Sequence, residues 1–257
     1  MLKNFLKPSH ETDLIRFGNN WDGGYLIPKD VVHKTKYLIS FGVGYDWSFE
    51  KDFNVANKDL KVLCFDHTIN KRFWYKYTII AIFDFIKSFK QRKKIFRYLE
   101  YIKFFNNVNR FHFQKKVVDV ARNKSNQISI KNLSKIIKNN IFLKIDIEND
   151  EWRILGQIRY FKKLLGLVIE LHNIDLHSKL LHSFLKKNKY LKIVHIHSNN
   201  MGGISCSKDP LVIELTLLNI NLSKNYKVVK KNIPFKKHKF DFKNDKFRDE
   251  IKIKFKI

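Results

Sequence analysis

The chain has 257 residues and a formal net charge of +27, with 51 Lys and Arg against 24 Asp and Glu. A hydrophobic share of 44%, of which aromatics are a large part, excludes a disordered chain. Only Cys64 and Cys206 are present, which excludes a disulfide framework and a multi-cysteine zinc site. The basic surplus has three explanations: phosphate binding, docking on an anionic membrane surface, or compositional drift, since Lys rises together with Asn, Ile and Phe.

Met1 to Asp13 is interrupted by Lys3, Lys7, Pro8, His10 and Glu11 and does not read as a signal peptide. A cytoplasmic location is the simplest expectation. Trp21-Asp22-Gly23-Gly24-Tyr25, followed by Pro28, predicts a tight turn between two extended pieces, so that 1–35 reads as a hairpin or lid. Lys36–Phe41 is a short apolar strand ending at the turn Gly42-Val43-Gly44. Helical spacing follows from Trp47 to Asn57, then a second buried strand, Lys61–Phe65, ending at Asp66. This unit opens a doubly wound sheet.

From Lys71 to Phe105 the pattern is helical, aromatic and then basic, longer than one crossover needs, so 71–107 reads as an insertion. Its longest apolar run, Thr78 to Ile86, contains Asp84 and is too short to span a bilayer. Strands are expected at Arg110–Val118, Ile141–Glu148, Leu165–His172, Tyr190–His197 and Leu211–Leu218, and helices at Ile128–Lys138, Asp150–Phe161 and Leu176–Lys187. The last two strands have no helix between them. The fold class is therefore α/β, a mostly parallel Rossmann-like sheet with an antiparallel last strand, in a single domain. The basic stretch 222–257 is expected to stand apart from the cleft.

Ligands of open α/β sheets bind outside the carboxyl ends of the strands. Three of those ends carry polar pairs at i, i+2: Asp146 with Glu148, Glu170 with His172, and His195 with His197, the last followed by Asn199 and Asn200. Burying such groups is costly without a partner, so together they predict a polar cleft. Asp150 and Glu151 read as helix-start acids. Trp47 stands where the third glycine of a GxGxxG turn would fall, and no P-loop is present. Both absences favour a cofactor without phosphates, such as S-adenosylmethionine (SAM), with Asp66 accepting its ribose hydroxyls.

Arg16–Pro28, Ser40–Glu50, Leu143–Trp152, Val168–His172 and Val194–Asn200, in this order, resemble the FkbM-type SAM-dependent methyltransferases. The resemblance spans about residues 14 to 218. It implies a seven-stranded methyltransferase sheet and O-methylation of a sugar, as in bacterial capsule and surface-polysaccharide clusters, plausibly on a nucleotide-activated sugar such as a GDP-heptose. It places Gly42, Gly44, Asp46 and Asp66 at the cofactor, with Asp119 near the adenine. Asn149 and Ser198 depart from the family's glycines; Asn tolerates a left-handed backbone.

A sugar hydroxyl must lose its proton as it is methylated, to a base or with help from a metal. Asp146, Glu170, His172 and His197 are the expected ligands for Mg²⁺ or Mn²⁺. His172 or His195 is the expected base; a metal-free version has Asp146 orienting His172. Asp22, Tyr25, Asn199 and Asn200 are the expected acceptor contacts. The partners expected are a small-molecule acceptor and no nucleic acid. The insertion reads first as a helical pair packed on the sheet or forming a homodimer, second as a peripheral membrane contact through Phe73, Trp74, Tyr75 and Phe83 with Lys87 to Lys94, third as a cap whose basic residues meet a diphosphate. The competing functions are an RNA methyltransferase and a non-catalytic nucleic-acid or membrane module on the same fold. His33, His67, His112, His177 and His182 lack patterned neighbours and read as ordinary residues.

Overall fold

The computed structural model describes residues 2–89, 92–121, 124–230 and 234–255. Its centre is a seven-stranded sheet, built from β1 (Tyr37–Phe41), β2 (Lys61–Phe65), β3 (Arg110–Phe113), β4 (Ile141–Ile145), β5 (Leu164–Leu171), β6 (Leu191–Ser198) and β7 (Ile213–Asn219). Their order across the sheet is β3-β2-β1-β4-β5-β7-β6. The first five are parallel, and β7 runs antiparallel to both its neighbours, β5 and β6. This is the Rossmann-like, mostly parallel seven-stranded sheet with an antiparallel last strand that the sequence led us to expect. The chain's last sheet strand does not lie at the edge; it fills the slot between β5 and β6.

The central strands are continuously apolar because both faces are covered. β5 is buried at all eight positions. Ile39, Leu143, Ile169 and Leu215 face one layer, packed with Ile130 and Leu133 of α6 (Ile130–Ile136), Ile154 of α7 (Glu151–Ile154) and Leu181 of α8 (Ile174–Lys187). Leu38, Val62, Phe142 and Val168 face the other. That layer holds α1 (Lys29–Lys34), α2 (Ser48–Ala56) and the antiparallel N-terminal hairpin of Leu14–Phe17 with Tyr25–Pro28. The stretch after β2 forms α3 (Lys71–Lys87), α4 (Arg92–Ile95) and α5 (Arg97–Phe105). Asn70 caps α3 by accepting the Phe73 N–H at 3.0 Å.

Three expected elements end differently. The strand expected through Val118 stops at Phe113, and Lys116–Val117 pairs separately with Gln127–Ile128. The helix expected over Asp150–Phe161 is one α turn continued as a 3-10 helix, Leu155–Tyr160, with Gly156 inside it. β4 stops at Ile145, because Glu148 and Asn149 turn left-handed at φ 52 and 75 and carry the chain out of the sheet. Asp146 and Glu148 are therefore not neighbours on one strand face.

The stretch after Asn221 does not stand apart. Lys227–Val228 pairs with His10–Glu11, and Asp241 and Asn244 are buried over the ends of β6 and β7. Among the described residues no helix is long and apolar enough to cross a membrane.

Candidate active site at the strand ends

A cavity of about 510 Å³ opens at the carboxyl ends of β1, β2 and β4. Gly42, Val43 and Gly44 form one wall, with Asp66, Asp46, Asp22, Lys144 and Asp146 around it. Gly42 sits at φ +77, and a Cβ there would meet the Asp146 carbonyl oxygen at 1.6 Å. Only glycine lets β1 and β4 close at this point. Gly44, at φ +57, has nothing within 4 Å of a built Cβ and faces open space.

Asp66 lines the cavity at the expected place, but its carboxylate is fully engaged. Oδ2 accepts the N–H groups of Val43 (3.1 Å) and Gly44 (2.9 Å), and Oδ1 accepts the N–H (2.8 Å) and hydroxyl (2.6 Å) of Thr68. Burial works against its charge; the bonds from Thr68, Gly44 and Val43 outweigh burial and hold the carboxyl below its ordinary value. The acid thus shapes the glycine turn, and a ribose diol would exchange for some of these donors. Asp46 is likewise a fastener: it accepts the Ser48 N–H (3.0 Å), Arg97 (3.1 Å) and the Asn19 amide.

Beyond the cavity, the face of the sheet that carries the hairpin bears a polar row. Glu170 on β5 stands opposite Glu214 on β7, which stands opposite His197 on β6. Asp146 extends the β4 ladder by donating its N–H to Phe41 O at 2.9 Å. Asp22, Glu170 and Glu214 each bring a carboxylate oxygen within 4.8 Å of the others. Tyr25 donates to Asp146 Oδ2 (3.2 Å), Asn199 to Glu170 Oε1 (3.0 Å), and Asn244 to Glu214 Oε1 (2.6 Å) and Asp22 Oδ1 (3.2 Å). Burial and the neighbouring carboxylates of Asp146 and Glu214 push Glu170 well above the usual carboxylate range. Burial raises Asp146 too, against the pull of Lys144. Glu214 is pushed up to about 8, mainly by burial. All three acids hold their protons more tightly than an exposed carboxylate does.

Below the row, Lys144 is buried and donates to Gly42 O (2.9 Å), with Glu50 Oε1 at 3.7 Å. Burial opposes its charge, and Glu50 and Asp146 restore it above the ordinary lysine value. The carbonyl of the glycine turn is thereby tied to the sheet.

The histidines do not fill the roles expected of them. Both nitrogens of His172 are taken: Nδ1 lies 2.9 Å from Glu151 Oε1, and Nε2 lies 3.3 Å from Glu148 and 3.4 Å from Glu170. Burial lowers its basicity, but the bonds to Glu148 and Glu151 and the charge of Glu170 more than compensate and lift His172 to about 10. With carboxylates on both nitrogens the charged imidazolium is the favoured form in this arrangement. His195 Nε2 faces Asp241 at 2.9 Å on β6, separated from β5 by β7, and does not line the cavity. His197 Nε2 meets Asn244 Oδ1 at 3.2 Å, and burial lowers it to about 4 despite Asp241. It is neutral, and it faces the C-terminal stretch instead of a metal position.

Two further expectations change. Asp119 lies away from this cavity, in a second cavity where it accepts from Gln157 Nε2 at 2.7 Å. Asn200 binds the backbone of Asp245, Arg248 and Asp249 and secures the C-terminal stretch, leaving no amide group for an acceptor. Glu151, read as a helix-start acid, is fully buried as the partner of His172. Glu214, Asp241 and Asn244 are site residues that sequence reasoning missed. Glu214 had a signal, a lone acid inside the apolar run Val212–Leu218; Asn244 had none.

No family model and no curated protein matches the chain. Similar solved structures include a fibrillarin/Nop5p complex (14% identity, 72% of this chain and 73% of that chain, TM-score 0.40). Precorrin-6y C5,15-methyltransferase from Geobacter metallireducens is similar at 11% identity over 74% and 86%, TM-score 0.39. The Streptococcus mutans protein SMU.1697c in complex with SAH is similar at 11% over 74% and 94%, TM-score 0.36. These are likenesses of backbone alone.

Proposed function

We propose that the chain is a SAM-dependent O-methyltransferase acting on a sugar hydroxyl, carried by a nucleotide-activated sugar such as a GDP-heptose and destined for capsule or surface polysaccharide. The observation that carries this reading is the direct junction of two features. One is a glycine-turn cavity shaped by Asp66 and Gly44, with no phosphate-binding loop. The other is a row of buried carboxylates, Asp146, Glu170 and Glu214, whose proton affinity burial raises. The open space at Gly44 is what a cofactor approaching the backbone requires.

SAM supplies a methyl group on a sulfonium centre. A hydroxyl attacks such a centre effectively only as its proton leaves. Asp146 lines the cavity with raised proton affinity and would accept the proton of a hydroxyl placed there, the methyl carbon–sulfur bond of the cofactor breaking as the carbon–oxygen bond forms. Tyr25 orients its carboxylate through the 3.2 Å hydrogen bond. His172, as a cation, offsets part of the charge of Glu148, Glu151 and Glu170 and keeps the row from neutralising altogether.

A divalent cation enters this proposal through Asp22, Glu170 and Glu214, not through the histidines. Three oxygen donors within 4.8 Å suit Mg²⁺ or Mn²⁺. The ion would bind the sugar oxygens and lower the pKa of the attacked hydroxyl.

Calorimetry with SAM, followed by mass spectrometry of a nucleotide-sugar panel incubated with SAM, tests the reading. The expected result is SAM binding and one added methyl group on one sugar. SAM binding with no sugar methylated would defeat the sugar assignment, and no SAM binding would defeat the whole reading. Calorimetric titration of Mn²⁺ into the wild type and Glu214→Gln separates the metal question; equal heats for both exclude the three-carboxylate site.

A further inference from the structure

Helix α3 is apolar on two opposite faces, and the protein covers only one. The inner face carries Trp74 and Ala81, both buried. Trp74 packs on Trp47 (ring centroids 6.4 Å) and Tyr101 (4.8 Å), which roots the insertion beside the glycine turn. Opposite them, Tyr75, Ile79, Ile82, Phe83 and Ile86 are 37% to 73% exposed. At about 100° per residue these five fall within roughly 60° of one direction, a continuous stripe along the helix. Phe96 and Leu99, after the turn, are 55% and 60% exposed and add to it. An exposed stripe of this kind marks a surface that something covers.

The charge around it identifies the occupant. On the same wheel Lys76 and Lys87 border one side of the stripe and Lys71 the other, with Arg72 at its N-terminal end. Residues 71–105 hold ten Lys or Arg against two acids, Asp84 and Glu100, a surplus of eight positive charges. A two-fold dimer through this face would set that surplus against itself. A nucleic acid would satisfy the charge, but the isoleucines would gain nothing from a phosphate backbone. A bilayer with anionic headgroups satisfies both at once: acyl chains take the stripe, and headgroup phosphates take the bordering lysines.

We infer that the exposed face of α3 seats the protein on an anionic phospholipid surface. The insertion is joined to the cleft rim, since Arg97 donates to Tyr45 O (3.0 Å) and Asp46 (3.1 Å). Docking thus holds the rim of the cavity at the bilayer whatever substrate the cavity accepts.

The test is sedimentation of the full chain with phosphatidylcholine vesicles, with and without phosphatidylglycerol, at low and high salt. The chain should pellet with the phosphatidylglycerol vesicles at low salt and be released by high salt. The triple variant Ile82→Ser, Phe83→Ser, Ile86→Ser should lose at least about tenfold in vesicle affinity. The double variant Lys76→Gln, Lys87→Gln, which changes only exposed side chains, should independently lose about tenfold on anionic vesicles. Both should keep the wild-type melting temperature. The inference is overturned by any of four results: no pelleting with either vesicle, pelleting that ignores phosphatidylglycerol, variants that bind vesicles like the wild type, or a dimer in ultracentrifugation that the triple variant dissolves. RNA binding abolished by the triple variant, with vesicle binding unchanged, overturns it as well.

Discussion

The two glycines of the turn after β1 make opposite demands, and replacing each with alanine separates them. Gly42→Ala puts a Cβ 1.6 Å from the Asp146 carbonyl oxygen at φ +77. The left-handed backbone costs about 1–2 kcal/mol. Moving Asp146 away strains the rung in which its N–H bonds Phe41 O at 2.9 Å, which adds about 2 kcal/mol from a weakened hydrogen bond and local overpacking. The total is about 3–4 kcal/mol, or roughly 10 °C in melting temperature for a chain of this size. Gly44→Ala meets no atom within 4 Å and bears only the backbone cost at φ +57, about 1–2 kcal/mol and roughly 4 °C. Its methyl group stands in the cavity, so its larger effect is on SAM affinity, a loss of at least about tenfold. Scanning calorimetry and urea titration of both variants measure the stabilities, and isothermal calorimetry measures the affinity. Equal destabilisation of the two variants, or a Gly42→Ala protein as stable as the wild type, would refute the packing argument.

Three other outcomes are expected. His172→Gln is less stable than the wild type by about 2 kcal/mol at pH 6, a figure discounted for the exposure of Glu148. Because folding raises His172 from 6.5 to about 10, that stabilisation is full below pH 6.5 and fades as pH rises through 10; a gap independent of pH in urea titrations contradicts the assignment. Glu214 is raised from 4.5 to about 8, so its ionisation costs stability as pH climbs through that window, and Glu214→Gln should gain on the wild type between pH 5 and pH 9 in thermal melts without metal. Asp66→Ala leaves the Val43, Gly44 and Thr68 donors unpaired, and should lower stability by about 1–3 kcal/mol and abolish SAM binding by calorimetry; retained binding removes Asp66 from the cofactor site.

What the sequence disclosed follows from the range of the interactions involved. The strand cores, the glycine turn and Asp66 are legible because strand, turn and acid lie in consecutive segments. The i, i+2 argument works at Glu170, which stays within β5. It fails at Glu148, where the chain leaves the sheet; β7 inserts between β5 and β6, so His197 meets the row through Glu214 while His195 faces Asp241. The charge of His172 depends on Glu151, which by position alone reads as an ordinary helix-start acid. Asp241 and Asn244 come from a stretch with no periodicity, and only the tertiary fold brings them to the row.

The placement of β7 also governs the order in which a working cleft is assembled during synthesis. The parallel strands β1 to β5 emerge first and can form the glycine turn and its cavity. β6 emerges next but belongs at the far edge, and it has no partner until the later strand arrives. Glu214 and then Asn244 are laid down only afterwards, in that slot and over it. In a chain still being made, the residues lining the cavity at the ends of β1, β2 and β4 are therefore all synthesised before Glu214 and Asn244 complete the acidic row.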